Sequence, residues 1–292
     1  MTIRQEMLTS AKRSANLLGE STSLVVSFVR RQLTPAGGFR GRSEASDLYY
    51  TLFAIESLIA LDAPLPTETI APWIASFGDG NNLDLVHLAC LARCRVAVGL
   101  ASDGPAILAR IETYRSEDGG YSETPSQTSG TAYGAFLALG AHQDVGGKVA
   151  NPDALADSLA SLQGPEGGFG NSAEIPGASV PATAAAITVL RHLGRRVDEA
   201  ARAWLAEQIG PDGGMGAWSG APMSDLLSTA VGLHALRHCS ITFDDVRQRC
   251  LDFIDSLWSS QGGFRGHQGD ETLDCEYAFY GLLALGNLDD SP

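Results

Sequence analysis

Four aspartates in this 292-residue chain stand immediately ahead of long apolar stretches: Asp47, Asp84, Asp225 and Asp274. Three positions further on come Tyr50, His87, Ser228 and Tyr277, and Glu276 follows two places after the last aspartate. Carboxylates and an imidazole gathered at one rim make a hard, oxygen-rich donor set, suited to zinc, manganese or iron. Asp47 and His87 with Glu276 or Asp274 are the candidate ligands. The same residue types have a plainer use. Asp and Ser are good N-caps, and an acid at a helix start meets the positive end of the helix dipole. A His87 hydrogen-bonded to Asp47 belongs with this second reading, and both readings require the aspartates to sit at helix starts at one end of the molecule.

A repeat supplies that placement. The stretch Gly262–Gly286, GGFRGHQGDETLDCEYAFYGLLALG, joins a diglycine turn, a polar loop, an acid and an apolar helix, and Gly37–Leu61 has the same grammar. The second glycines of the copies, Gly38, Gly80, Gly120, Gly168, Gly214 and Gly263, are spaced 42, 40, 48, 46 and 49 residues apart, with Asp79–Gly80 a decayed copy. Periods of that size mark a repeat architecture. Apolar helices are predicted over 47–61, 83–98, 130–141, 180–193, 225–238 and 274–286. More polar helices alternate with them, their starts marked by Thr67, Asp103, Asn151 and Thr242 with Asp245. Two further helices are predicted over 3–18 and 21–33. No stretch alternates like a strand, so the chain reads as all-α.

The first set of helices is apolar almost all round, as in Ala132–Ala141 (AYGAFLALGA), and such helices are buried on every side. The second set carries Arg110, Glu112, Arg202, Glu207, Arg247 and Arg249 on one face. Six buried helices inside six amphipathic ones describe a closed α6/α6 toroid occupying residues 1–292 as one domain. An open superhelix would expose polar capping repeats at both ends, and repeat six is as apolar as repeat one.

A formal charge of −14 argues against a nucleic-acid partner or an anionic membrane surface, either of which needs a basic face. No run of about twenty apolar residues is present, so no membrane span is expected. The start, MTIRQEMLTSAKRSANLLGE, reads as a charged amphipathic helix rather than a signal peptide. Cys90, Cys94, Cys239, Cys250 and Cys275 are odd in number and lack a paired framework, which fits reduced thiols and a cytoplasmic protein. Cys275 stands at a helix start, where thiol pKa falls, but Asp274 and Glu276 beside it oppose that, so a packed thiol is expected.

The repeats resemble the prenyltransferase/squalene-cyclase repeat, nearest the β-subunits of protein prenyltransferases. The resemblance rests on GGFRGR with D-x-Y-Y in repeat one, GGFRGHQGD in repeat six, and the Ala/Leu-rich helix ending in Leu-Gly, over residues 24–288. It implies an α/α barrel whose aromatic-lined funnel binds an isoprenoid, with prenyl transfer as the reaction, zinc or another divalent metal as cofactor, and a helical-repeat α-subunit as partner; self-association is the alternative. The family's Asp-x-Cys and histidine ligands fall here on Asp225–Leu226–Leu227 and Tyr277, so only Asp225 is kept. In a second register Asp47-x-Tyr49 and His87 occupy those places. A non-catalytic lipid-binding or scaffold barrel is the rival reading. Terpenoid cyclisation lacks its Asp-x-Asp-Asp acid motif. Arg42, Tyr49 and Tyr50, with Arg265 and His267 in the matching loop of repeat six, resemble the family's diphosphate-holding residues, and Tyr133 and Tyr277 join the funnel aromatics. Diphosphate needs several fixed cations, and the loops of repeats three to five supply none.

Overall fold

The structure is a computed structural model, and it describes residues 1–100, 104–175 and 177–290. Six inner helices, α4 (Leu48–Ala60), α6 (Leu85–Ala97), α8 (Ala132–Asp144), α10 (Val180–His192), α12 (Leu226–Arg237) and α14 (Cys275–Leu288), pack each against the next. The ring closes because α14 also packs against α4. The outer layer is α5 (Thr67–Ala75), α7 (Gly104–Ile111), α9 (Pro152–Ala160), α11 (Glu199–Glu207) and α13 (Arg247–Ser256), completed by α3 (Thr22–Arg31) between repeats six and one. The described residues contain isolated backbone bridges and no strand. This is the closed α/α toroid expected from the repeats.

Five of the six repeats are closed by the same local device. The residue after the diglycine turns its side chain into the wall, so Phe39, Tyr121, Phe169, Met215 and Phe264 are buried. In repeats one, four and five its N–H donates to a threonine hydroxyl one turn into the inner helix: Phe39 to Thr51, Phe169 to Thr183 and Met215 to Thr229, at 2.8–2.9 Å. The first glycine of the pair needs a left-handed backbone and close approach. A Cβ on Gly262 (φ 92°) would lie 2.2 Å from the Leu24 carbonyl of α3.

Two expected helix starts move. Thr67 is the first residue of α5 rather than its cap, and α13 begins at Arg247, beyond Thr242 and Asp245. Asn151 caps α9 through Ala154 as expected, while Asp103 lies outside the described residues.

The largest departure is at the N-terminus. The stretch expected as one amphipathic helix divides into α1 (Ile3–Lys12) and α2 (Ser14–Leu18), and α1 packs on α14, α4 and α8 at the end of the ring where the inner helices finish. Ile3, Glu6, Met7, Ser10 and Ala11 are buried. Gly286 makes that approach possible, since a Cβ there would stand 1.8 Å from the Ser10 carbonyl. The toroid therefore has an open rim, where the inner helices start, and a floor built on α1. No described helix is long and apolar enough to cross a membrane.

Candidate functional site

The rim is made of helix caps. Asp47 accepts from the N–H groups of Tyr49 and Tyr50, Asp84 from His87, Ser179 from Ala182, Asp225 from Ser228 and Asp274 from Tyr277, at 2.7–3.3 Å. In repeat three Thr131, not Gly130, takes this role. His87 bonds through Nδ1 to its own cap, Asp84, at 2.7 Å rather than to Asp47. Each carboxylate turns back onto its own helix, and adjacent helix axes stand about 8–10 Å apart. The rim thus does not bring Asp47, His87, Glu276, Asp274 or Asp225 together in threes within reach of one ion.

Closure of the ring joins repeats six and one as anticipated. Tyr49 donates its hydroxyl to Glu276 at 2.6 Å, and Arg42 donates to Asp270 at 2.8 Å and Asp274 at 3.1 Å while lying over the Tyr277 ring. Gly41 packs directly on Tyr50 and Gly266 on Tyr277, so these two rings lie under the rim loops. His267 Nδ1 accepts from Gly269, and Arg265 forms a backbone bridge with Leu273. Burial raises the Asp225 carboxyl, with Ser228 and the charge of His267 working against it. Cys275 is fully buried and its thiol is pushed far up by burial, then by Asp274; Cys90 is pushed up to about 12.

Inside the rim lies a funnel of about 310 Å³ lined by Tyr49, Tyr133, Phe136, Leu227, Val231 and Tyr280, and floored by Met7 and His234. Edge-on and tilted ring contacts run from Tyr49 through Phe53 to Tyr280. Glu276 meets this wall through Tyr49. Burial drives its pKa up to about 7; the Tyr49 hydrogen bond pulls it down, and Asp274 adds a further push upward. A carboxyl that titrates near neutrality can take or give a proton at physiological pH.

The prenyltransferase alpha-alpha toroid domain matches residues 6–143, 88–222 and 182–291, overlapping stretches that together span the repeats. The chain belongs to that family. By sequence alone, no curated protein matches this toroid. Among solved structures it is similar to Candida albicans protein geranylgeranyltransferase-I complexed with GGPP, at 13% identity over 91% of this chain and 90% of that one, TM-score 0.69. It is also similar to a variant of the type II terpene cyclase MstE from Scytonema in complex with geranylgeranyl dihydroxybenzoate, at 14% identity over 94% and 97%, TM-score 0.63. The GH76A alpha-1,6-mannanase from Salegentibacter sp. HEL1_6 shares the fold at 12% identity over 93% and 99%, TM-score 0.64. At these identities the likeness establishes the toroid and leaves the reaction to the residues.

The floor of this toroid carries polar residues that the sequence reading passed over. Arg4 of α1 donates to Glu56 of α4 at 2.7 Å, and Arg93 of α6 to Asp144 of α8 at 2.6 Å. Glu6 of α1, 2% exposed, accepts from both Nη atoms of Arg191 at 3.0 and 2.8 Å. His192, His234 and His238 face the same carboxylate. Burial raises the Glu6 carboxyl, but contacts with His192, His234 and Arg191 and the charge of His238 outweigh it and hold the group far below the ordinary carboxylate range. Burial, then His234, lowers His238 to about 4. A signal for these residues existed. Stacking the repeats nine places after the cap brings Glu56, Arg93 and His234 into one column, and thirteen places after it Asp144, His192, His238 and Asn287. Charged and imidazole side chains recurring at one level of otherwise apolar helices mark an internal polar layer.

Proposed function

We propose that the protein binds an isoprenoid chain, or a lipid of similar shape, in the funnel. The observation that carries this is the axial cavity itself: aromatic and aliphatic on its walls, open at the rim and floored by Met7 and His234. Small-molecule sites are typically concave and apolar with few polar groups. The two neighbours in complex with GGPP and with geranylgeranyl dihydroxybenzoate support the same class of guest. The volume lies at the low end of ligand cavities, which run from about 300 to 1,000 Å³, so shorter prenyl chains fit best. The chain rather than a diphosphate supplies the binding energy, because Arg42, the rim's best-placed cation, is already held by Asp270 and Asp274.

Prenyl transfer is the reaction that the family name suggests, but here the rim acids are occupied as helix caps, which favours binding as the primary role. One observation favours catalysis: Glu276, near-neutral and bonded to Tyr49 at the funnel wall, is suited to moving a proton to or from a bound isoprenoid. Glu276→Gln would then abolish turnover and leave binding intact.

Calorimetric titration with farnesol and farnesyl diphosphate tests the binding role. Saturable binding with a negative heat-capacity change is expected, the two ligands differing by less than about tenfold, or ~1.4 kcal/mol. Val231→Trp, which fills the funnel, should abolish both. Absence of saturable binding by either ligand, or undiminished binding by a folded Val231→Trp protein, would overturn the reading.

A further inference from the structure

We propose that the floor of the toroid is a divalent-metal site whose ligands are Glu6, His234 and His238. The site is separate from the rim and lies at the lower end of the funnel. One donor atom from each of the three residues lies within 4.8 Å of the others, and among the described residues this is the one grouping of histidines, cysteines and acids that could hold an ion.

The spacing of the donors separates a metal site from an ordinary hydrogen-bonded cluster. Elsewhere in the molecule histidine meets carboxylate at hydrogen-bond range: His87 and Asp84 at 2.7 Å, His142 and Glu112 at 3.1 Å. Around Glu6 the distances are 3.4 Å to His234 Nε2, 3.4 Å to His192 Nε2 and 3.5 Å to His238 Nδ1. Those are too long for charge-assisted hydrogen bonds, which fall near 2.7–2.9 Å. Each is close to the ~3.3 Å edge of a tetrahedron around an ion with bonds of ~2.0–2.1 Å, His234 standing on the Oε1 side of the carboxylate and His238 on the Oε2 side. His234 is 3% exposed and its Nε2 makes no hydrogen bond, and His192 Nε2 is likewise unpartnered. Buried polar atoms ordinarily find partners, so the unbonded His234 Nε2, directed at the Glu6 carboxylate, points to an occupant beside it.

The second layer fits the same role. Ser10 of α1 lies 3.2 Å from His238 Nε2. With Nε2–H donating to that hydroxyl, Nδ1 presents a lone pair toward Glu6, an arrangement that is repulsive when empty and correct for a ligand. Arg191 grips both oxygens of Glu6 and fixes its plane, leaving each oxygen a second lone pair. The donor set of two imidazoles and one carboxylate suits zinc, iron(II), cobalt(II) or manganese. His234 lines the funnel, so coordination positions not filled by protein face its lower end.

The test uses the full chain, stripped with a chelator and then titrated with Co²⁺ and Zn²⁺. One ion per chain is expected by elemental analysis, with visible Co²⁺ absorption bands and a raised Tm. His234→Ala and His238→Ala should each weaken uptake at least about 10-fold, the scale of a lost ligand or its support. Far-UV circular dichroism checks that each variant is folded. Should a histidine variant not fold, X-ray absorption of the wild-type Co²⁺ complex gives the answer, two imidazole nitrogens in the first shell being expected. Absence of saturable 1:1 uptake by the wild type, undiminished binding in the folded histidine variants, or an absorption spectrum without imidazole would each refute the site.

Discussion

At the rim, Asp47, Asp84, Asp225 and Asp274 each turn back onto the first turn of their own helix. At the floor, Glu6 and Glu56 reach across to a different helix, and Asp144 is met by Arg93 of the neighbouring one. The rim acids are held locally, by backbone N–H groups that any helix start supplies. The floor acids are held by residues far away in sequence, and they have exchanged water for those partners. Residue type is the same at both ends. What differs is whether the partner is part of the same helix, and that difference sets how much each group matters to the fold and how visible its role is beforehand.

Removing a floor acid should therefore do the most damage. Glu6→Ala leaves Arg191 in a buried layer without its carboxylate, and breaking one side of a buried ion pair costs about 3–5 kcal/mol. Chemical denaturation should show that loss, and limited proteolysis should show α1 released first. A loss below about 1 kcal/mol would put the floor on the same footing as an exposed pair.

Next comes the one rim acid placed against the funnel wall. Glu276 has a folded pKa of about 7 against 4.5 for an ordinary glutamate, so folding favours its neutral form. Its contribution is complete below about pH 4.5 and is lost as pH rises through 7. Glu276→Gln, neutral at every pH, should gain about 2 kcal/mol on the wild type at pH 8, a discounted share of ~1.4 kcal/mol per pH unit, and the difference should vanish by pH 4.5. Denaturation curves at the two pH values measure it, and a gain that is the same at both would show that ionisation is not involved.

The smallest effect belongs to a plain cap. Asp225→Ala should cost about 1 kcal/mol, the usual worth of an N-cap, while Asp225→Ser recovers most of it. Equal losses in the two variants would mean that Asp225 does something a hydroxyl cannot.

Much of this was legible in advance. The diglycine period and the unbroken apolar character of Ala132–Ala141 and its sister helices require a ring of buried helices, because such a surface has nowhere else to go. The cap column is also local chemistry, and its one slip, Thr131 in place of Gly130, moves by a single residue. The meeting of Glu276 with Tyr49 followed from closure. The start of the chain was misjudged because MTIRQEMLTSAKRS has the charge pattern of a surface helix. Only the ring shows that the charges of Arg4 and Glu6 are matched in advance by Glu56 and Arg191.

The sequence by itself determined the repeat, the helices and the capped rim, since each depends on interactions within about fifty residues, and it implied the ring because repeat six is as apolar as repeat one. The tertiary structure alone decided which aromatics line the funnel, how the floor is closed and that Glu6, His234 and His238 meet. Those contacts join α1 to helices more than 180 residues away. No local propensity encodes such a pairing. It exists only because the closed ring leaves an apolar axis with a polar layer at one end, and a short helix of matching charge fills it.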